Sequence, residues 1–495
     1  MSIKHWVQVG GAVACLSLGG LADAAPWLEP GNARARFSMQ KLADRGHLER
    51  VTTAWPLSWA AVESGLSDSV SQDLNAVGMP VAYLSFEKEQ LLRPSVRGEF
   101  GVFAQTEEPG LSGFEDVQSG DGGASLTLQL QGYSLAAGLT VSQVAAPHDD
   151  DELQFDGSYL AAKLGNWELG AGAIDRWWGP GWQSSLILSN NARAIPAVWL
   201  NRADTRAPEI GILRWLGPWG LTVMAGSTER VRAVPEAKLL GMRVTVSPID
   251  GLNVALSRMI MFGGRGRPES ASVIWDALTG RDNSQDGSEN DPGNQVGAVD
   301  ARYGFAVGQQ AAGVYMQMMG EDEAGAFPAR KSWLFGVDWT SQLLGGDQQW
   351  FLEYANTLAD DMFGDPRPNV SYEHFRYKTG YRHYGRNIAS SLDGDAVSAT
   401  WGAYHFLKSG SNVSIRLTYA NINQDGLSRV VVPDDSVFYT VPASSQHVGM
   451  AQIGYEREFV GGWLEVALQA LDKKVRYVSG EKDATGLKIS WTSRF

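Results

Sequence analysis

The run Asp175-Arg176-Trp177-Trp178-Gly179-Pro180-Gly181-Trp182, continued at Asn190-Asn191-Ala192-Arg193, gathers three indole rings beside carboxylate, amide and guanidinium groups. These are the parts needed to hold a sugar. Aromatic rings cover the C–H face of a pyranose, while Asp, Asn and Arg bond its hydroxyls. The competing reading of Trp177, Trp178 and Trp182 is an aromatic girdle at a membrane interface, followed by a turn that requires Gly and Pro. A second concentration runs from Arg258 through Gly263-Gly264-Arg265-Gly266-Arg267-Pro268 to Pro292-Gly293-Asn294-Gln295. Glycine there lets backbone approach a ligand, and Arg265 and Arg267 can donate several bonds to hydroxyls or carboxylates, with Asn294 a further candidate later in the same segment. A third, Thr379-Gly380-Tyr381-Arg382-His383-Tyr384-Gly385-Arg386-Asn387, repeats the theme with Tyr381, Arg382, Tyr384 and Arg386. Its arginines have an alternative use, pairing with Glu373, Asp393 and Asp395 in a polar interior.

Other chemistries find less support. A nucleophile needs a base within hydrogen-bond reach and a third group to orient it. His374, His383, His405 and His447 lie among serines, notably Ser390 and Ser391, but no local motif suggests that arrangement, so no enzymatic activity is expected. The run Asp282-Asn283-Ser284-Gln285-Asp286-Gly287 begins like a calcium loop, yet the twelfth position is Gly293 where a bidentate glutamate is required. Asp149-Asp150-Asp151-Glu152 reads as a solvated loop tip. No metal and no cofactor are implied. The single cysteine, Cys15, offers no disulfide framework, and a formal charge of −14 argues against nucleic acid as a partner.

The elements that must carry these groups are strands. Near the C-terminus Leu487, Ile489, Trp491 and Phe495 alternate with Gly486, Lys488, Ser490, Thr492 and Arg494, the period of a strand with one apolar and one polar face. A chain ending this way resembles the signal read by the barrel-assembly machinery. The same alternation recurs at Leu126-Leu128-Leu130, Leu135 to Val141, Val413 to Tyr419 and Leu464 to Leu468. Beyond residue 25 nothing approaches the roughly 18 to 20 apolar residues of a spanning helix. With 44% hydrophobic residues, 57 glycines and 18 tryptophans, the composition fits a barrel whose strands face lipid on one side only.

Residues 1–24 have the layout of a secretory signal peptide, with cleavage expected after Ala24. Residues 25–92 are expected to be helical: Asn32 caps a first helix stopped by Gly46, Ser58 caps a second, and Val70, Leu74 and Val77 share a face of a third. Such short helices need a larger partner, and a barrel end or lumen supplies one. Residues 93–495 then accommodate some sixteen to twenty strands, interrupted by long polar segments at 175–207, 263–296 and 360–395, lengths that usually mark function.

Taken in order, Trp55-Pro56-Leu57-Ser58-Trp59, the Trp-Trp-Gly-Pro-Gly-Trp run, the Gly-Gly-x-Gly-Arg-Pro stretch with Pro-Gly-Asn-Gln and Asp300-Ala301-Arg302-Tyr303, and the Tyr372-to-Ile388 segment resemble the Wzi family of capsule-assembly proteins. Ala301, where an aromatic is expected, and Ala389-Ser390, in place of a more glycine-rich stretch, are departures. The resemblance implies an all-β, transmembrane antiparallel barrel of about eighteen strands in the bacterial outer membrane, closed at its periplasmic end by a helical bundle. It implies a monomeric, non-catalytic lectin that retains capsular or other extracellular polysaccharide, in contact with outer-membrane lipid. A diffusion channel is the alternative compatible with the same strands.

Overall fold

The computed structural model describes residues 27–495 apart from 49–50, 66–72, 92–94, 116, 133, 209, 271, 273–292, 322–329 and 361–365. The Ala24 cleavage site, Val70 and the calcium-like stretch 282–292 therefore lie outside the described residues.

Eighteen long strands follow one another. They are β1 Ser95–Gln105, β2 Gly122–Gln131, β3 Leu135–Ala145, β4 Tyr159–Leu164, β5 Trp167–Ala173 and β6 Pro196–Arg202. The series continues with β7 Trp219–Ser227, β8 Lys238–Ile249, β9 Leu252–Phe262, β10 Gly293–Val307, β11 Gln310–Glu321 and β12 Lys331–Leu343. It ends with β13 Gly346–Asp360, β14 Val397–Leu407, β15 Asn412–Ile422, β16 Gln446–Phe459, β17 Gly462–Leu471 and β18 Thr485–Arg494. Each bonds its sequence neighbours antiparallel, the short stretch Leu153–Gln154 adding to β3, and β18 closes onto β1 with Lys488 opposite Gln105. The result is the closed antiparallel barrel expected.

Alternation explains the wall. In β2, Leu126, Leu128 and Leu130 point outward and remain exposed, which suits lipid. In β14, Ser398, Thr400 and Tyr404 point inward and are buried. Outward aromatics supply the girdle: Trp339, Trp350 and Trp401 form a cross-strand ladder with ring centroids 6.2 and 5.8 Å apart, and Trp491 packs near Phe100 at the barrel seam. Among the described residues, no helix is long and apolar enough to cross a membrane.

Because the strand number is even, β1 starts and β18 ends at the same end of the barrel. That end carries short turns such as 165–166, 250–251 and 344–345, while the long connections 106–121, 174–195, 263–292, 361–396 and 423–445 gather at the other. In bacterial barrels the long-loop end faces outward. One part of the expected polar segment 175–207 is a strand instead. Pro196–Arg202 forms β6 because Ala197 and Trp199 are buried while Val198 faces out, and Trp199 donates its indole N–H to Glu168 at 3.1 Å.

Among the described residues three helices precede the barrel: α1 Ala33–Asp44, α2 Trp59–Gly65 and α3 Leu74–Leu91. Asn32 caps α1 by accepting the N–H of Ala35 at 2.8 Å, which satisfies one of the helix's orphan donors. From α1, Arg34 donates to the carbonyls of Gly410 and Leu407, and Arg45, just past its end, donates to those of Gly308 and Gln310. All four carbonyls belong to short turns or adjoining strand ends, so α1 sits at the short-turn end. Deeper inside, Asp44 and Asp338 share the guanidinium of Arg302 at 2.6 to 3.2 Å, and Lys41 pairs with Asp347 at 3.3 Å. Gly304 makes room for this group, since a Cβ there would collide with the Asp44 carboxylate.

The lumen is filled from both ends. Arg36 of α1 lies over the rings of Phe114 (4.5 Å) and Trp182 (4.2 Å) and donates to the carbonyl of Pro180 at 2.6 Å. Connection 174–195 descends to meet it. Glu353 on β13 accepts the backbone N–H groups of Trp182, Gln183 and Ser184 at 2.8, 3.2 and 2.7 Å and the hydroxyl of Tyr315 at 3.0 Å. A buried carboxylate answered by four donors anchors a loop that would otherwise carry unpaired amides.

Candidate functional site

The structure separates the sequence-level candidates by depth. Trp177, Trp178 and Trp182 are buried to 1% exposure or less. Trp177 and Trp178 pair as a short ribbon with Ala54 and Trp55, and Trp182 stacks on Phe351 with centroids 6.0 Å apart. Their faces are covered by protein, so they offer none to a sugar, and they do not belong to the interfacial girdle either. Tyr381 is buried against Tyr372, its hydroxyl donating to the carbonyl of Ile187 at 2.8 Å. Arg382 donates through Nη2 to both carboxylate oxygens of Asp393, at 2.5 and 2.6 Å. Arg386 donates to the carbonyl and side chain of Asn191 at 2.7 and 3.0 Å. Asn294 is buried on β10. Asn294 apart, which lies on the strand wall, the physical reason is common: the connections carrying these residues fold into the barrel, where arginines pair with carboxylates and carbonyls as polar interiors require.

Arg265, Arg267 and Tyr384 stay accessible at the long-loop end. Tyr384, at φ +46, borders a small pocket lined also by Ser119, His148, Asn191, Arg193 and Arg386. Arg193 lies over the Tyr384 ring at 4.3 Å and is gripped by Asp149, Asp151 and Asp156. Asp149 is thus buried in an ion pair, which corrects the reading of Asp149 to Glu152 as merely a solvated tip. His148 bonds Glu108 through Nδ1 at 2.9 Å, while its Nε2 has no hydrogen-bond partner. Burial alone would raise the Glu108 carboxyl, but His148, Lys482 and Arg386 outweigh it and hold the group well below its ordinary range. Burial pushes His148 down as well, and its ring lines the pocket. His148 escaped sequence reasoning because nothing local marks it; its neighbours come from four separate connections.

A cationic ridge adjoins this pocket's end of the barrel. Arg265 bonds Glu236 at 3.1 and 3.2 Å, and Arg230 bonds the same carboxylate at 2.6 Å. The two guanidinium groups hold Glu236 down at about 2. Arg267 lies over the Tyr377 ring at 5.1 Å and Arg376 over Phe375 at the same distance. Lys378 and Arg429 are exposed alongside, linked through the bond from the Val431 N–H to the Lys378 carbonyl. Burial, with Arg267 and Arg376 adding repulsion, pushes His374 down to about 4. Nothing local in the sequence marks Phe375, Arg376, Lys378 and Arg429, and their clustering with Arg265 required the fold.

Connection 361–396 also stores a pH-dependent strain. Asp395 accepts the N–H of Asn369 at 2.7 Å, but its other oxygen has no hydrogen-bond partner. Burial, with Asp425, Glu373 and Asp393 nearby, pushes its carboxyl up to about 7. A carboxyl raised in the folded state contributes stability that is complete below its unfolded value near 4 and is lost as pH rises through about 7. Asp395→Asn is therefore expected to raise the thermal midpoint of the folded barrel more at pH 8 than at pH 5. Equal shifts at both values would remove Asp395 from the account.

The description "Capsule assembly protein Wzi" belongs to the family model that matches residues 103–485. A Klebsiella pneumoniae protein described as an uncharacterized 55.8 kDa protein in the cps region is 30% identical over 358 residues, covering 70% of this chain and 68% of the relative. Among solved structures, Escherichia coli Wzi, described as an outer-membrane protein involved in group 1 capsule assembly and a carbohydrate-binding β-barrel, superposes with a TM-score of 0.81. That match is 26% identical and covers 95% of this chain and all of the other. With a family match spanning most of the strands and a barrel that superposes from end to end, this chain belongs to the Wzi family of capsule assembly proteins.

Proposed function

We propose that the protein is a non-catalytic outer-membrane lectin that binds polysaccharide on its long-loop face and retains it at the cell surface. The observation that carries this reading is the filled lumen: α1 enters from one end, connection 174–195 from the other, and they meet at Arg36 and Trp182. A barrel so occupied has its ligand chemistry at the surface. Among the relatives, a carbohydrate-binding barrel and a protein from a cps region support the same assignment. Export by a signal peptide cleaved near Ala24, insertion by the barrel-assembly machinery and action as a monomer complete the proposal.

The ridge of Arg230, Arg265, Arg267, Arg376, Lys378 and Arg429 favours a polymer that carries carboxylates. On a chain of net charge −14, such a local reversal of sign is what overcomes long-range repulsion. The pocket beside Tyr384 adds uncharged hydrogen-bonding groups suited to sugar hydroxyls. Two measurements test the reading together. Pull-down of polysaccharide purified from the native host is expected to succeed, with affinity falling as salt rises. Planar bilayers containing the pure protein are expected to stay silent. Steady ion-selective openings without glycan capture would favour a diffusion channel.

A further inference from the structure

The connection between β6 and β7, residues 203–218, is out of place. It lies at the short-turn end, where its neighbours 165–166, 250–251 and 308–309 are two-residue turns. Loops are normally polar, yet this one reads Ile210-Gly211-Ile212-Leu213-Arg214-Trp215-Leu216 and forms a 3₁₀ turn over Gly211–Leu216. Ile210, Leu213 and Trp215 are 64%, 40% and 67% exposed. The segment is also held in place. The Trp219 N–H donates to the Thr205 carbonyl at 2.8 Å and the Ser247 N–H to the Pro218 carbonyl at 2.8 Å. Gly217, at φ +63, packs so closely on β8 that a Cβ would collide with the Ser247 carbonyl. Arg202 grips the other side, donating to the carbonyls of Trp219 and Arg206 at 2.8 and 3.1 Å while lying over the Trp219 ring. A rigid apolar turn pointing away from its own barrel is built for something outside it.

We propose that residues 210–216 form an in-plane anchor seated in the phospholipid leaflet at the short-turn end of the barrel. Continuity selects lipid as the occupant. The strands around the turn carry the barrel's apolar outer band toward it, with Leu164, Leu169, Val198 and Ile249 all exposed on their outward faces. A tryptophan at the edge of that band occupies the depth where an amphipathic ring is favoured. Arg214, exposed between Leu213 and Trp215, has the reach to place its charge among phosphates while its stem stays on the apolar side. Arg206 is satisfied by Asp204 at 2.5 Å, so the turn itself carries one cation for an anionic headgroup. This arrangement is that of an interfacial amphipathic segment rather than of a spanning one.

The test uses the full chain in nanodiscs of phosphatidylethanolamine and phosphatidylglycerol, where both faces are open to solvent. With Cys15→Ser as background, Trp215→Cys is labelled with an environment-sensitive fluorophore, and Ile210→Cys provides a second position should the first disturb folding. Lys474→Cys, on the long-loop side and 60% exposed, is the aqueous control. Lipids spin-labelled near the headgroup are expected to quench the probes at 215 and 210, and aqueous iodide to quench them several-fold less than at 474. Iodide quenching equal to that at 474, with no lipid quenching, would overturn the assignment and turn the same surface into a dock for a soluble partner.

Discussion

Arg302→Ala is expected to unlock the N-terminal helix from the barrel wall and to cost about 3 to 5 kcal/mol, the usual effect of removing one partner from a buried ionic group. Among the described residues Arg302 is the cation that bridges Asp44 of α1 and Asp338 of β12, through bonds of 2.6 to 3.2 Å. Without it two carboxylates remain buried and facing one another, and the cost comes from that, not from the lost attraction. The variant should show a lower thermal midpoint in heat-modifiable electrophoresis. Because α1 occupies the short-turn end, it should also show intermittent conductance where the parent is silent. Adding Asp44→Asn and Asp338→Asn to Arg302→Ala should recover part of the loss. A midpoint equal to the parent's would show that the helix is held by other contacts, of which Lys41 with Asp347 is the next candidate.

Replacing Arg265 and Arg267 together by alanine is expected to weaken binding of isolated protein to an acidic polysaccharide by tenfold or more, since a hydrogen bond made by a charged group is worth about 1.5 to 3 kcal/mol in general. The fold should not notice. Arg265 bonds Glu236 at the surface, where ion pairs contribute little, and Glu236 keeps Arg230 as a partner. Normal heat-modifiable migration with reduced capture would separate a binding role from a structural one. On whole cells the loss will be smaller, because a polymer touching many copies is held by avidity. The salt dependence should also flatten, since fewer cations remain to be screened. Unchanged capture by the isolated double variant would move the site to the pocket beside Tyr384 and His148, and Tyr384→Ala would then be the informative change.

How much was legible in advance depends on the range of the interaction that decides each feature. Strands β2, β15 and β18 were readable because alternation is a local property: a residue and its second neighbour share a face whatever the rest of the chain does. The Asn32 cap was readable for the same reason, since its acceptor and the Ala35 N–H lie three residues apart. The ordered series of motifs fixed the family. Strand β6 was missed inside a polar segment because its seven residues give only two clear outward and two inward positions.

Depth was not legible. Trp182 and Tyr384 look alike in sequence, each an aromatic among glycines and arginines, yet one stacks on Phe351 in the lumen and the other borders a surface pocket. What separates them is whether a connection folds inward, and that is settled by partners far along the chain, such as Glu353 for the amides at 182–184 and Asp393 for Arg382. The sequence by itself determined a barrel wall and its helical preface, because periodicity and local capping are encoded within a few residues. Only the tertiary structure decided which arginines serve the interior and which meet the outside, because burying a charge is tolerable only where the fold has already brought its counter-charge.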